Sequence, residues 1–233
     1  MTTPILDWRP NHDPRSRDYP IRTLLPVNGH RHDRIWATGP VTDQGVEGAC
    51  VGHGWTTEAL AEPIGVDLSR LKVHAPTDPD EFARFLYGMA QYLDEWDGEN
   101  YEGTSVLAGA KAAQNAGVLR EYRWAFGLDD VIDTVVWKGP VVLGINWYEQ
   151  MYNPVGGVLT KGGALVGGHC LTVVGYRASS IRLGGAPAAV LQNSWGKDWG
   201  TNGQADISLP DLGALLAENG EACIPVSRSY GRS

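Results

Sequence analysis

The sequence predicts an α+β fold in two lobes, on three observations. Residues 50–117 carry helical signals: an apolar stripe of 3.6-residue period, capping residues and glycine stops. From Gly139 onward the pattern changes to short β-branched runs parted by glycine-rich turns. The chain, 233 residues long, suffices for one large domain or two closely packed lobes, and helices that precede strands favour α+β over alternating α/β. The expected division is an extended segment over 1–43, a mainly helical lobe over about 44–125 and a mainly β lobe over about 126–233, together one domain.

The start carries Pro4, Pro10, Pro14, Pro20 and Pro26, which favour an extended, wrapping course over a helix. A first helix is expected from Cys50 to about Glu62, ended by Pro63 and Gly65. Gly52 and Gly54 make it poor by propensity, so burial has to hold it. In the second helix Asp78 caps, Pro79 takes the first position, and Glu81 stands where a capping-box acid belongs. Phe82, Phe85, Leu86, Met89, Leu93 and Trp96 then form one core-facing stripe. A third helix begins near Thr104 or Ser105 and stops at Gly117. PVVLGI, HCLTVVGY, AAVLQNS, Gly203–Ser208 and EACIPVS read as strands, with DLGALLAEN a short helix among them.

A net charge of −8 and a pI near 5.2 argue against nucleic-acid or anionic-membrane partners. Residues 1–36 nevertheless carry +2, leaving −10 on the rest. No window approaches the ~18 apolar residues of a membrane span, and MTTPILDWRP lacks the form of a signal peptide. Cys50, Cys170 and Cys223 are odd in number and far apart, which points to a reducing compartment, the cytoplasm, rather than to a disulfide scaffold. Cys170 and Cys223 read as small buried hydrophobes. His30 and His32, in an arginine-rich loop, read as solvated rather than metal-binding, so neither metal nor cofactor is expected.

The chemistry concentrates in three segments. In DQGVEGACVGHGW, small residues surround Cys50 and leave its thiol approachable. A cysteine nucleophile needs a base, a group that orients the base, and donors for an oxyanion. His169 opens the apolar strand of GGHCLTVVGY behind two glycines and suits the base. Asn193, in QNSWGKDWGTNG, has an amide carbonyl able to fix the imidazole tautomer, with Trp195 at hand to cover that bond from water.

Together these segments resemble the papain-like cysteine peptidases. The order Cys, His, Asn is the family order, at intervals of 119 and 24 residues. A weaker likeness extends from LDWRP through EGTSVLAGAKAAQNAGV to the end. The resemblance implies Cys50 as nucleophile, His169 as base and later acid, Asn193 as its orienter, and Gln44 with the Cys50 N–H as oxyanion donors. It also implies substrate contacts at Gly103, Gly48 and Trp195, and peptide or protein substrates. A thiolate at a helix N-terminus beside an imidazolium can have its pKa lowered from ~8.5 to ~3–4, which would make the pair charged at neutral pH.

Two positions depart from the family pattern. Glu47 stands where a disulfide cysteine is common, and Val51 where an aromatic is common. Glu47 either raises the pKa of both members of the catalytic pair or turns away to an arginine of the first 36 residues. LDWRP resembles a mature N-terminus, so a form without a propeptide is expected, monomeric and restrained by location, substrate access or a separate inhibitor. The rival reading is a binding or virion-assembly component of the same fold with weak or lost hydrolysis.

Overall fold

The computed structural model describes residues 4–27, 29–71, 73–94 and 102–228. In chain order the elements are β1 (Arg34–Ile35), α1 (Cys50–Leu60), α2 (Pro79–Leu93), α3 (Val106–Asn115), β2 (Leu119–Trp124), α4 (Leu128–Trp137), β3 (Val141–Tyr148), β4 (Val158–Leu159), β5 (Leu165–Arg177), β6 (Ala188–Gln192), β7 (Gln204–Ser208), α5 (Leu209–Ala217) and β8 (Glu221–Arg228). The strands form one sheet in the order β2-β8-β3-β5-β6-β7-β4, with β1 paired to β5. All pairs are antiparallel except β4 with β7.

The expected helices form where their caps lie. The Asp78 carboxylate accepts from the N–H groups of Asp80 and Glu81, and Ser105 Oγ from that of Ala108. On α2, Phe82 and Leu86 are buried, while Phe85, Met89 and Leu93 pack partly buried against the same core; Trp96 lies outside the described residues. Helix α1 is buried along its whole length. Its glycines are spacers: a Cβ on Gly52 would collide with the Ala83 carbonyl of α2, and one on Gly54 would meet Cys170 Sγ on β5 at 2.9 Å. The ~1 kcal/mol that each glycine costs a helix is offset by this close packing.

Four elements were not anticipated, two of them the two-residue strands β1 and β4. Strand β2 leaves the helical half of the chain to pair with β8, and α4 follows it before β3. The start is less extended than its prolines suggest, since Pro14–Asp18 and Ile21–Leu24 form 3₁₀ turns. Arg22 and Arg31 fasten this arm to α4. Arg22 pairs with Asp130 and Asp133 at 2.6 and 2.7 Å, and Arg31 with Asp129 and Asp133 at 2.6 and 2.7 Å. His32 packs edge-on against Trp137. No helix among the described residues is long and apolar enough to cross a membrane.

The buried apolar residues fall into two clusters. One lies among α1, α2 and α3 and the other between the sheet and α4 and α5. The seam between them holds α1 against β5, and the candidate catalytic residues lie along it.

Candidate active site

Cys50 is the first residue of α1, so its sulfur stands at the positive end of the helix dipole. His169 lies on β5, paired across to Ile145 of β3, and Asn193 follows directly on β6. The fold thus brings together residues from three distant parts of the chain. His169 Nε2 and Asn193 Oδ1 are 2.7 Å apart. The same oxygen accepts the Ser194 backbone N–H at 2.8 Å, which fixes the orientation of the amide. An oxygen can only accept, so Nε2 carries the proton and Nδ1 is left as the basic nitrogen. That Nδ1 is buried and has no hydrogen-bond partner. Trp195 lies over the imidazole with ring centres 4.7 Å apart, and Trp147 meets it edge-on at 4.7 Å. Tyr152 stacks on Trp195 in turn. The expected cover over the His–Asn bond is present, and it is more extensive than Trp195 alone.

Gln44 is held from both ends. Its N–H donates to the Ser194 carbonyl at 2.8 Å, and its Oε1 accepts from Ser194 Oγ at 2.7 Å. Ser194, passed over in the sequence, therefore ties the imidazole's orienter to the oxyanion loop. With Oε1 fixed as the acceptor, Nε2 points its hydrogens at the Glu47 carbonyl, 2.8 Å away, and at the Ile5 carbonyl, 3.1 Å away.

That last contact reveals what fills the cleft. Residues 5–8 run through it as a strap. The Ile5 carbonyl sits on Gln44 Nε2, the expected oxyanion donor. The Asp7 N–H donates to Cys50 Sγ, as do the backbone N–H groups of Cys170 and Val51. The Asp7 carbonyl accepts from Thr104 N–H at 3.2 Å, and Trp8 N–H donates to the Gly168 carbonyl at 3.0 Å. Gly103 and Gly48, both expected to meet substrate, instead meet Asp7: a Cβ on either would collide with its backbone or its carboxylate.

The strap changes the electrostatics. Cys50 is fully buried, and burial pushes its thiol up to about 11. Burial likewise pushes His169 down to about 4, against the opposing bond to Asn193. The charged thiolate–imidazolium pair expected from the sequence is absent from this conformation. The physical reason is the seal: without water or a countercharge, the neutral forms are the stable ones. His53, one turn after Cys50, is buried too, with no hydrogen-bond partner on either ring nitrogen and Asp80 Oδ1 3.9 Å from its Nδ1, and burial lowers it to about 3.

Cys170 and Cys223 are buried and free, as is Cys50. Among the described residues no group of three or more His, Cys, Asp or Glu side chains could hold a metal ion.

Glu47 takes the second of its two expected courses, with a different partner. Its Oε2 meets Arg84 Nε of α2 at 2.8 Å, with both side chains about half exposed. An exposed pair of this kind contributes ~0–1 kcal/mol, and Arg84 offsets the acid's field at the catalytic pair. Glu47→Gln is therefore expected to lower the melting temperature slightly and to leave the pH–rate profile in place. A downward move of both limbs would show instead that the acid acts on the pair. Gln44→Ala is expected to lower turnover about 10²–10³-fold, the usual loss for one oxyanion donor. An unchanged kcat would put the oxyanion site elsewhere.

The comparisons with known proteins can be set beside this geometry. The family model described as papain family cysteine protease matches residues 97–211. The solved structure of xylellain, a cysteine protease from Xylella fastidiosa, superposes over 97% of this chain and 96% of its own, with a TM-score of 0.63 at 16% identity. The chain has the papain-like fold. Bromelain from Ananas comosus, in complex with the E64 inhibitor, gives a TM-score of 0.53 at 16% identity, over 82% of this chain and 95% of its own. Among curated relatives, a cathepsin B-like cysteine proteinase 6 of Caenorhabditis elegans is 32% identical over 84 residues, 34% of this chain and 21% of that protein. Cysteine proteinase 1 of Zea mays is 42% identical over 76 residues, 30% of this chain and 19% of that protein. The papain-like chain thus spans about a fifth of the length of the curated relatives it matches.

Proposed function

We propose that this papain-like chain is a cysteine peptidase, and that residues 5–8 hold its cleft shut in the conformation described. The observation that carries the reading is the His169–Asn193 bond, which leaves Nδ1 as a base on the seam where Cys50 opens α1. With the strap displaced, water reaches the pair and His169 takes the thiol proton. Cys50 Sγ then attacks the scissile carbonyl carbon, and the oxyanion is held by Gln44 Nε2 and the Cys50 N–H. His169 returns the proton to the leaving amine, which departs and leaves a thioester. Water, deprotonated by His169, attacks the thioester and releases the acid, and the proton returns to the sulfur.

Substrates on this reading are peptides or proteins, taken by a monomer, with a separate inhibitor or a virion partner as further restraint. Three free cysteines suit the cytoplasm. The test is an epoxide thiol probe with mapping of the modified residue, alongside hydrolysis of a fluorogenic peptide. Stoichiometric labelling at Cys50 with hydrolysis supports the peptidase. A folded, strap-opened protein that does neither is a binding component instead.

A further inference from the structure

Asp7 is the strap residue that touches the catalytic thiol, and its side chain stands where a carboxylate is costly. The backbone there is well paired. Asp7 N–H donates to Cys50 Sγ and its carbonyl accepts from Thr104 N–H. Trp8 N–H donates to the Gly168 carbonyl and Arg9 N–H to that of Thr104, both at 3.0 Å. The carboxylate is not paired in this way. Its Oδ2 is buried without a hydrogen-bond partner, packed so closely on Gly48 that a Cβ there would overlap it. Asp13, the next acid along the arm, shows the contrast: its carboxylate accepts from the Arg15 N–H and guanidinium, which hold it low. Four charged or titratable groups face Asp7. Glu102, just before Thr104, is a like charge, and Arg9 on the strap itself is the opposing cation. Cys50 of α1 and Tyr87 of α2 are acids that an ionised Asp7 keeps protonated. Burial, with Glu102, outweighs Arg9 and raises the Asp7 carboxyl above its ordinary value.

We propose that Asp7 is a proton-operated latch: the strap seats with this carboxyl protonated, and its ionisation drives residues 5–8 out of the cleft. The inference rests on the closed-strap reading above and not on hydrolysis. Below the ordinary carboxylate value Asp7 is neutral in both states, and closure is favoured in full. As pH rises through the raised value, the closed state has to hold a charge without a partner, so closure weakens. The seal is therefore tightest in acid and relaxes toward neutrality. A buried carboxylate oxygen with no donor weakens closure by about 10–100-fold. Other groups on the strap's path change their surroundings as well. Cys50 and His169 hold one proton between them, whether neutral in the closed cleft or charged in the open one. Glu221, the first residue of β8, accepts from Trp8 Nε1 at 3.0 Å and loses that donor when the strap leaves. Substituting Asp7 alone separates its contribution from theirs.

The experiment compares the full chain with its Asp7→Asn variant by hydrogen exchange at the backbone amides of residues 7, 8 and 9. Protection is taken relative to each amide's intrinsic rate at the same pH, so that it reads closure of the strap. The two proteins are expected to be equally protected near pH 4, within about a factor of three, and Asp7→Asn to be about 10–100-fold better protected near pH 7. Asp7→Ala, which brings no amide hydrogens against Gly48, is the second variant. Its protection relative to the parent is expected to rise by the same factor between the two pH values. A role in packing alone would give a ratio independent of pH. In either folded variant, a ratio that stays constant or falls between about pH 4 and pH 7 overturns the proposal. A parent strap unprotected at both pH values overturns the closed-strap reading, and the proposal with it. Because no hydrolysis is measured, the peptidase reading stands or falls separately.

Discussion

Cys50→Ala is expected to abolish peptide hydrolysis and to leave the fold standing. Measured in a strap-opened background, turnover falls by about 10⁴-fold or more, because no other group on the seam can form the thioester. His53 is buried in the lobe, and the thiol of Cys170 faces α1 at Gly54 rather than the cleft. Alanine fits a site already lined by small residues. The cost in stability is about 1–3 kcal/mol, from a small cavity and from three backbone N–H groups that lose their sulfur acceptor. Circular dichroism and the melting temperature check the fold, and a fluorogenic peptide checks the rate. A variant that keeps a tenth of the parent's turnover rules Cys50 out as nucleophile.

The second large effect concerns the strap. Asp7→Pro removes the N–H that donates to Cys50 Sγ and is expected to loosen residues 5–8 without touching the catalytic side chains. In the closed conformation the thiol is held at about 11, so at neutral pH very little of it is thiolate. A return to an ordinary thiol, near 8.5, would raise the thiolate fraction at pH 7 by at least about 100-fold, and pairing with His169 would raise it further. The labelling rate of Cys50 with iodoacetamide should rise accordingly. Its pH dependence should change as well. In the closed chain the rate climbs about tenfold per pH unit through neutrality, because the thiol titrates far above it. In Asp7→Pro the curve flattens at lower pH. Equal rates and parallel curves for the two proteins would show that the strap does not seal the thiol.

What the sequence made legible follows the range of the interaction. Helices α2 and α3 were readable because their signals are local: Asp78 and Ser105 cap within three residues, and Gly117, at φ +81°, stops α3 two residues beyond its last residue. The same holds for β3, β5, β6, β7 and β8, whose apolar runs are bounded by turn residues. Strand β2 was missed because LREYRW alternates with charge and draws its pairing from β8, about a hundred residues on. Helix α4 was missed because its apolar positions, Val131, Ile132, Val135 and Val136, are β-branched, so propensity opposed the periodicity. The placement of Cys50, His169 and Asn193 was legible through their flanking segments. The strap was not, since the contacts of Ile5, Asp7 and Trp8 reach Gln44, Thr104, Gly168 and Glu221, and no local pattern encodes such pairings.

The grip of Arg22 and Arg31 on α4, with the pairing of β1 to β5, has a consequence for how the cleft reopens. Those anchors lie outside the cleft, so residues 5–8 can leave it while the arm stays attached. The freed strap then behaves as a tethered ligand whose effective concentration is of millimolar order. A peptide in solution must compete with that local concentration rather than with an empty site. One cut between Arg9 and Pro20 would end the competition, because the severed piece dilutes into the bulk and its return becomes second-order. The arm therefore gives the closed state a memory of whether the chain is whole.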